Sequence, residues 1–199
     1  MFLILRLPRV AHILERFGLL CRWRAGMVLD LRRLQERPSL PPGYELMEWD
    51  PGRLREVAEA DYRAYRGTLD GRLYWQYFST VDGCERMWRE AINGKFGRFD
   101  PARTLLLLRD GRVCGDIMTS LRSPREAFIG NLAVTPEHRG GTGRALLLEC
   151  LWRCREAGLD RVSLAVTLDN ERAFELYSRL GFVVSGRFPL ITRTGTLPR

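Results

Sequence analysis

The chain has 199 residues, a length that predicts one domain with a core of useful size and room for an extension. Its 32 Lys and Arg residues outnumber its 24 Asp and Glu residues, and the formal net charge is +8. No Lys/Arg block of the kind that marks a nucleic-acid tail occurs, so we expect no nucleic-acid partner. The five scattered cysteines do not form a disulfide framework, which favours a reducing compartment and hence the cytoplasm.

Residues 1–40 predict an extension that precedes a domain at 41–199. Apolar residues recur at helical spacing from Val10 to Cys21, with arginines between them, which predicts an amphipathic basic helix. The apolar run is too short to span a membrane and has no signal-peptide cleavage pattern. Two roles stay open for this helix: docking on the domain or on a partner, which we favour, and contact with a membrane surface. Prolines at 38–42 indicate a stiff linker.

Strand and helix patterns alternate through the rest of the chain. We predict strands at 44–49, 128–134, 161–166 and 182–188, and a hairpin of 104–109 with 112–121 around an Asp-Gly turn. We predict helices at 51–66, at 73–93 with an interruption near Asp82 and Gly83, at 143–157, and at 170–180. A hairpin that leads into alternating strands and helices predicts an α/β sheet of mixed direction.

A glycine-rich turn joins the strand that ends at Val134 to the helix that opens with Arg144. Its sequence is H-R-G-G-T-G, and glycine allows the backbone to approach a ligand closely. The first turn of a helix carries unpaired N–H groups and partial positive charge, so the turn predicts a phosphate site, although a plain strand–helix turn is the alternative. It is neither a Walker loop nor a dinucleotide fingerprint, because Leu146 stands where a third small residue belongs.

A second motif lies on the predicted helix at 170–180. Asn170, Ala173 and Tyr177 share one face at i, i+3 and i+7, and the helix ends in Leu-Gly-Phe. Each residue alone has an ordinary explanation, because Asn caps helices and Tyr is often a half-buried core aromatic. The two motifs, in this order along the chain, are more specific together than either motif is alone.

The segments N-L-A-V-T-P-E-H-R-G-G-T-G-R-A-L-L at 131–147 and L-D-N-E-R-A-F-E-L-Y-S-R-L-G-F at 168–182 together resemble the signatures of the GNAT family of acetyl-CoA-dependent acyltransferases. The resemblance covers about residues 44–188 and is strongest at 128–182. It implies an α/β fold with a mixed, mainly antiparallel central sheet flanked by helices. It also implies an N-acetyltransferase, monomeric or homodimeric, that moves an acetyl group from acetyl-CoA to a primary amine of a small molecule or peptide.

The same resemblance implies roles for individual residues. The strand end at Leu132, Ala133 and Val134 separates from its neighbour and pairs with the pantetheine arm of the cofactor, which Asn170 also contacts. Tyr177 protonates the departing CoA thiolate, and the reaction needs no metal. Six consecutive residues hold the diphosphate through their N–H groups: Arg139, Gly140, Gly141, Thr142, Gly143 and Arg144.

Two positions depart from the family pattern. The family usually places Gln or Arg three positions before the first glycine of G-x-G, where this chain has His138 followed by Arg139, so the turn is one residue short. Many relatives carry a Glu as general base near the position of Asn131. Glu126 and Asp116 are candidates for that role, but a solvated or paired carboxylate and a water relay are equally open, so we name no base.

The acceptor side is expected in the first helical region and the hairpin. Tyr65, Arg66 and Asp70 lie close to a turn, which allows either an acceptor pocket where Asp70 attracts an amine or, as we favour, core packing and capping. Transfer of a larger acyl group and a catalytically silent acyl-CoA-binding sensor are alternative functions, and the presence of Tyr177 favours the enzyme. Four aromatic residues follow nearby: Tyr74, Trp75, Tyr77 and Phe78.

Overall fold

One eight-stranded sheet organises the computed structural model, which describes residues 16–193. The strands are β1 Leu19–Asp30, β2 Tyr44–Glu48, β3 Arg98–Phe99, β4 Leu105–Arg109, β5 Arg112–Ser123, β6 Glu126–Val134, β7 Arg161–Thr167 and β8 Val183–Arg193. Their order across the sheet is β2-β4-β5-β6-β7-β1-β8, and β3 pairs with β5 beside this path. Among these strands only β6 and β7 pair in parallel, so the predicted mixed, mainly antiparallel sheet is confirmed.

Helices cover both faces of this sheet. They are α1 Leu54–Tyr65, α2 Leu69–Leu73, α3 Trp75–Phe78, α4 Val81–Ile92, α5 Thr142–Glu156 and α6 Glu171–Arg179. Strand β4 shows the two layers, because Leu105 and Leu107 belong to the core under α5 whereas Leu106 and Leu108 belong to the core under α1 and α4. Cys150 on α5 is fully buried, as expected of a small core residue.

Most local predictions after residue 44 are confirmed, and one needs correction. The hairpin turn has φ of 49° at Asp110 and 73° at Gly111, as a tight two-residue turn requires. The helical region predicted at 73–93 consists instead of α2, α3 and α4, and it is not interrupted near Asp82 and Gly83. Thr80 caps α4 by accepting a hydrogen bond from the Gly83 N–H at 3.0 Å, so these residues form its first turn.

The prediction of a helix from Val10 to Cys21 is wrong for its last residues. Residues 19–30 form β1, which pairs with β7 on one side and with β8 on the other. From Ala25 to Leu29 every second residue of β1 is buried, namely Ala25, Met27 and Leu29, and this period of two marks a strand. Because residues 19–30 form a strand of the sheet, they are not part of a helical appendage. The part of the predicted helix before residue 16 lies outside the described residues.

The segment from residue 31 to residue 43 connects β1 to β2 along the surface of α5. Trp152 on α5 donates from Nε1 to the Glu36 carbonyl at 2.5 Å, and Arg155 donates from Nη1 to the Leu34 carbonyl at 2.7 Å. The linker is thus fixed to the domain by hydrogen bonds to its backbone. No helix within residues 16–193 combines the length and apolar character needed to span a bilayer.

Candidate active site

Strands β6 and β7 separate in the middle of the sheet. They pair from Glu126 with Arg161 to Ile129 with Leu164, and their later residues have no register with each other. Each strand continues along its other neighbour, β6 along β5 and β7 along β1, and a bulge in β6 at Gly130 marks the start of the separation. A wedge therefore opens between residues 130–134 and 165–167. The strand end at 132–134 separates from its neighbour as expected.

The loop after β6 presents a row of unused backbone donors. Within the part of the chain that the structure describes, the N–H groups of residues 140–144 have no hydrogen-bond acceptor. Gly140 and Gly141 have φ of 108° and 113°, and a Cβ added to either would meet no atom within 4 Å. These donors lie at the positive end of the 15-residue helix α5. The loop has the geometry of an anion site that fits a diphosphate.

Arg139 supports this loop but does not add its backbone to the row of donors. Its N–H donates to the Pro136 carbonyl at 3.4 Å, so we remove this N–H from the predicted diphosphate ligands. Its guanidinium donates to the Val134 carbonyl at 3.2 Å and to the Ala64 carbonyl at 3.0 Å. Arg139 therefore joins the end of β6 to the end of α1.

Tyr177 lies on α6 and is nearly buried, with 9% of its surface exposed. Its ring packs against Phe182, with ring centroids 5.8 Å apart. Burial raises the pKa of Tyr177 to about 12; the charge of Asp70 adds to this effect and that of Arg24 opposes it. The phenol is therefore protonated at neutral pH and is chemically able to act as a proton donor.

Asp70 lies beside the end of β7, in electrostatic range of Tyr177. Its Oδ1 accepts from Thr167 Oγ1 at 2.6 Å, and its Oδ2 accepts from Asn170 Nδ2 at 2.9 Å. Both donors are neutral, so they orient the carboxylate without cancelling its charge. Thr68 caps α2, which means that Asp70 does not serve the capping role that we favoured.

Asn170 uses both ends of its side chain within the protein. Its Oδ1 caps α6 by accepting from the Ala173 N–H at 3.3 Å, while its Nδ2 binds Asp70. These contacts are those of a helix cap and a support for Asp70. Contact of Asn170 with the cofactor arm stays a prediction.

Arg24 comes from β1, which the sequence analysis did not include in the site. Its Nη1 donates to the Tyr74 hydroxyl and its Nη2 donates to the Ala165 carbonyl at 2.6 Å. Burial lowers the pKa of Arg24, although the charge of Asp70 raises it, and a guanidinium stays cationic in either case. A fixed positive charge therefore lies near both Asp70 and Tyr177.

The aromatic residues expected on the acceptor side do not form one cluster. Tyr65 stacks on Phe78 with ring centroids 3.9 Å apart, and Tyr74 meets the edge of Phe78 at 6.4 Å. Tyr77 instead directs its hydroxyl to Glu90, 2.5 Å away. The rings of Tyr65, Tyr74 and Phe78 thus pack together, whereas the Tyr77 hydroxyl is hydrogen-bonded to Glu90.

Two buried carboxyl groups flank the side chain of Asn131 on β6. Asn131 Nδ2 is 2.8 Å from Asp61 Oδ1 on α1 and 2.8 Å from Asp116 Oδ1 on β5, while Asn131 Oδ1 accepts from the Tyr65 hydroxyl at 2.7 Å. Trp88 Nε1 donates to the second oxygen of Asp61 at 2.7 Å. Both Asp61 and Asp116 have no exposed surface.

Burial controls the ionisation of this acid pair. Burial raises the pKa of Asp61 to about 6, although hydrogen bonds from Trp88 and Asn131 lower it. The pKa of Asp116 lies well above its ordinary value because of burial, and next because of the charge of Asp61. Asp116 Oδ2 is buried and has no hydrogen-bond partner among residues 16–193, an environment that penalises a charged carboxylate more than a neutral carboxyl. With a pKa of about 6, Asp61 is the member of the pair that ionises first, and Asp116 is the member that tends to retain its proton.

The structure separates the two candidate bases. Asp116 lies beside Asn131, next to the wedge. Glu126 lies at the closed end of the β6–β7 pair, where it accepts from Ser163 Oγ at 2.8 Å and is 3.9 Å from the Arg161 guanidinium. A base at the wedge could not be Glu126, and Asp116 has no exposed surface.

Comparison with known proteins agrees with this geometry. A model of the acetyltransferase (GNAT) family matches residues 71–182. The chain is 31% identical over 169 residues to a mycothiol acetyltransferase of Thermomonospora curvata, covering 80% of this chain and 52% of that protein. It is 30% identical over 188 residues to a mycothiol acetyltransferase of Saccharomonospora viridis, covering 88% of this chain and 58% of that protein.

The fold is also similar to solved structures. A GCN5-related N-acetyltransferase from Sphaerobacter thermophilus aligns with a TM-score of 0.66 and 22% identity. The alignment covers 93% of this chain and 56% of the other. The chain thus spans about half the length of these two curated relatives and of this structural neighbour.

Proposed function

Because the chain belongs to the acetyltransferase (GNAT) family, we propose that it transfers an acetyl group from acetyl-CoA directly to a primary amine of a small molecule or peptide. One observation carries this proposal: the wedge between β6 and β7 ends at the free N–H groups of residues 140–144. The names of the mycothiol acetyltransferases that it resembles support acetyl transfer as the reaction.

The residues of the loop and of β6 fit acetyl-CoA. The free N–H groups and the helix end would hold the diphosphate, and the open space beside Gly140 and Gly141 would admit it. The edge of Leu132, Ala133 and Val134 that β7 leaves open would offer main-chain groups to the pantetheine arm, apart from the Val134 carbonyl, which accepts from Arg139. When bound, acetyl-CoA supplies an activated thioester.

Asp70 would act on the incoming amine, and Tyr177 would act on the leaving sulfur. Asp70 would attract the protonated amine, because Thr167 and Asn170 orient its carboxylate without neutralising it. The nearby charge of Arg24 weakens this attraction. As the C–N bond forms and the C–S bond breaks, Tyr177 would give its phenolic proton to the sulfur. The protonated amine first loses one proton to solvent, which frees the lone pair for attack. The nitrogen loses a second proton as the amide forms, and this balances the proton that Tyr177 supplies to the sulfur.

The test is a thiol-release assay with acetyl-CoA and a panel of amino acids, polyamines, aminoglycosides and peptide N-termini. We expect Tyr177→Phe to lower kcat by about 100-fold or more and to leave acetyl-CoA affinity nearly unchanged, because only the proton donor is lost. Tyr77→Phe, which removes a hydroxyl bound to Glu90, is the matched control and should keep full turnover. Unchanged turnover in Tyr177→Phe would remove Tyr177 from the mechanism, whereas cofactor binding without thiol release in the parent would favour a silent sensor.

A further inference from the structure

The hydrogen bonds around Asn131 leave only one choice of donor and acceptor. Two carboxyl oxygens, one each from Asp61 and Asp116, are within 2.8 Å of the same side-chain nitrogen. An amide nitrogen has two N–H donors, and both are used by these oxygens. The opposite orientation would place the amide oxygen against the ionised oxygen of Asp61, which cannot donate. The buried acids therefore fix which end of the Asn131 amide faces Tyr65.

This orientation also fixes the hydroxyl of Tyr65. Asn131 Oδ1 can only accept, so the single phenolic proton of Tyr65 is used in the 2.7 Å hydrogen bond to it. The remaining hydrogen-bonding capacity of the Tyr65 oxygen consists of lone pairs. Towards any other group, Tyr65 is an acceptor and not a donor.

The position of Tyr65 places this acceptor beside the reacting groups of the proposed function. Asn131 directly precedes the unpaired edge at 132–134, where β6 has left β7. On its other side Tyr65 is in electrostatic range of Asp70 and Tyr177. The Tyr65 hydroxyl is thus hydrogen-bonded to the residue that precedes the strand edge, and it lies within electrostatic range of the carboxylate that would attract the amine.

We propose, on the basis of the proposed function, that Asp61, Asp116 and Asn131 hold the Tyr65 hydroxyl as a fixed hydrogen-bond acceptor for an N–H of the attacking amine. That contact directs the nitrogen lone pair away from Tyr65 and towards the thioester carbon. It also strengthens as positive charge develops on the nitrogen during attack. Tyr65 binds the acceptor, and the three residues behind it are positioning residues that do not touch the substrate.

The first experiment separates amine binding from acetyl-CoA binding in the full chain. We expect Tyr65→Phe to lower kcat/KM for the fastest amine of the panel by about 10-fold, the value of one hydrogen bond, while calorimetry shows unchanged acetyl-CoA affinity. Asp61→Asn should lower kcat/KM in the same direction by about 3-fold, because an amide at this position can donate as well as accept and Asn131 can then adopt both orientations. Tyr77→Phe is the control for loss of a tyrosine hydroxyl bound to a carboxylate, and it should change neither value.

The second readout does not depend on activity. In the nitrogen-15 NMR spectrum of the parent, both side-chain amide protons of Asn131 should exchange slowly with solvent, and Asp61→Asn should speed that exchange. Fast exchange of these protons in the parent would overturn the inference, as would an unchanged kcat/KM in Tyr65→Phe with thiol release intact. Absence of acetyl-CoA binding by the parent would instead overturn the proposed function, and the inference with it.

Discussion

The buried acid pair should make the domain less stable as pH rises through the acidic range. The pKa of Asp61 is about 6 in the folded chain and about 3.8 when exposed. Between these values the folded state holds a proton that the unfolded state has lost, so the free energy of unfolding falls as pH increases. A shift of about two units corresponds to about 3 kcal/mol, which is lost between pH 4 and pH 7.

The perturbation that removes this contribution is Asp61→Asn, which also removes the charge that raises the pKa of Asp116. An asparagine also puts a donor against Asn131, but that cost is the same at every pH. We therefore expect the free energy of unfolding of Asp61→Asn, relative to the parent, to rise by about 3 kcal/mol between pH 4 and pH 7. Urea titrations at each pH measure this difference directly.

Asp110→Asn provides the control for loss of one carboxylate. Asp110 is an exposed residue with φ of 49° in the hairpin turn, a conformation that asparagine also accepts. The free energy of unfolding of Asp110→Asn relative to the parent should not change by more than about 0.5 kcal/mol between pH 4 and pH 7. If the free energy of unfolding of Asp61→Asn relative to the parent does not change with pH, or falls as pH rises, the conclusion that folded Asp61 retains a proton at acidic pH is refuted.

Two further substitutions test the loop and the first strand. Gly141→Val should weaken acetyl-CoA binding by at least about 10-fold in calorimetry, because a side chain would enter the space beside the free N–H groups, whereas Gly158→Val should not. Gly158 is a matched control at the other end of α5, with φ of 79° and equally open space, and equal affinities would contradict the diphosphate placement. Leu29 is buried in β1, so Leu29→Ala should lower the free energy of unfolding measured in urea by about 2–5 kcal/mol. Phe17 is exposed, so Phe17→Ala is the control and should lower it by less than about 0.5 kcal/mol. A small effect of Leu29→Ala would argue against a place for β1 in the sheet.

The elements after residue 44 could be predicted because their signals are local. The Asp-Gly turn lies between its two strands, and Gly158 and Gly181 follow the helices that they end, with φ of 79° and 92°. Strand β1 had no such signal. Its partners β7 and β8 lie at the opposite end of the chain, and Leu20 and Cys21 happen to continue a helical spacing.

The site was only partly predictable for the same reason. The glycine loop and Tyr177 belong to contiguous motifs, whereas the acid pair joins α1, β5 and β6. One signal was present in the sequence, because Asp61 interrupts a helix face of small apolar residues that includes Val57, Ala58 and Ala64. An acidic residue at such a position indicates a buried polar partner, but only the packing of α1 on the sheet identifies it as Asn131.

The location of β1 has a consequence for biosynthesis. Its neighbours in the sheet, residues 161–167 and 183–193, leave the ribosome long after it, so this strand must wait for both before it can pair. Pairings between such distant segments form slowly. We therefore expect the half of the cleft that contains Arg24 to assemble last, after the hairpin and the glycine loop have folded.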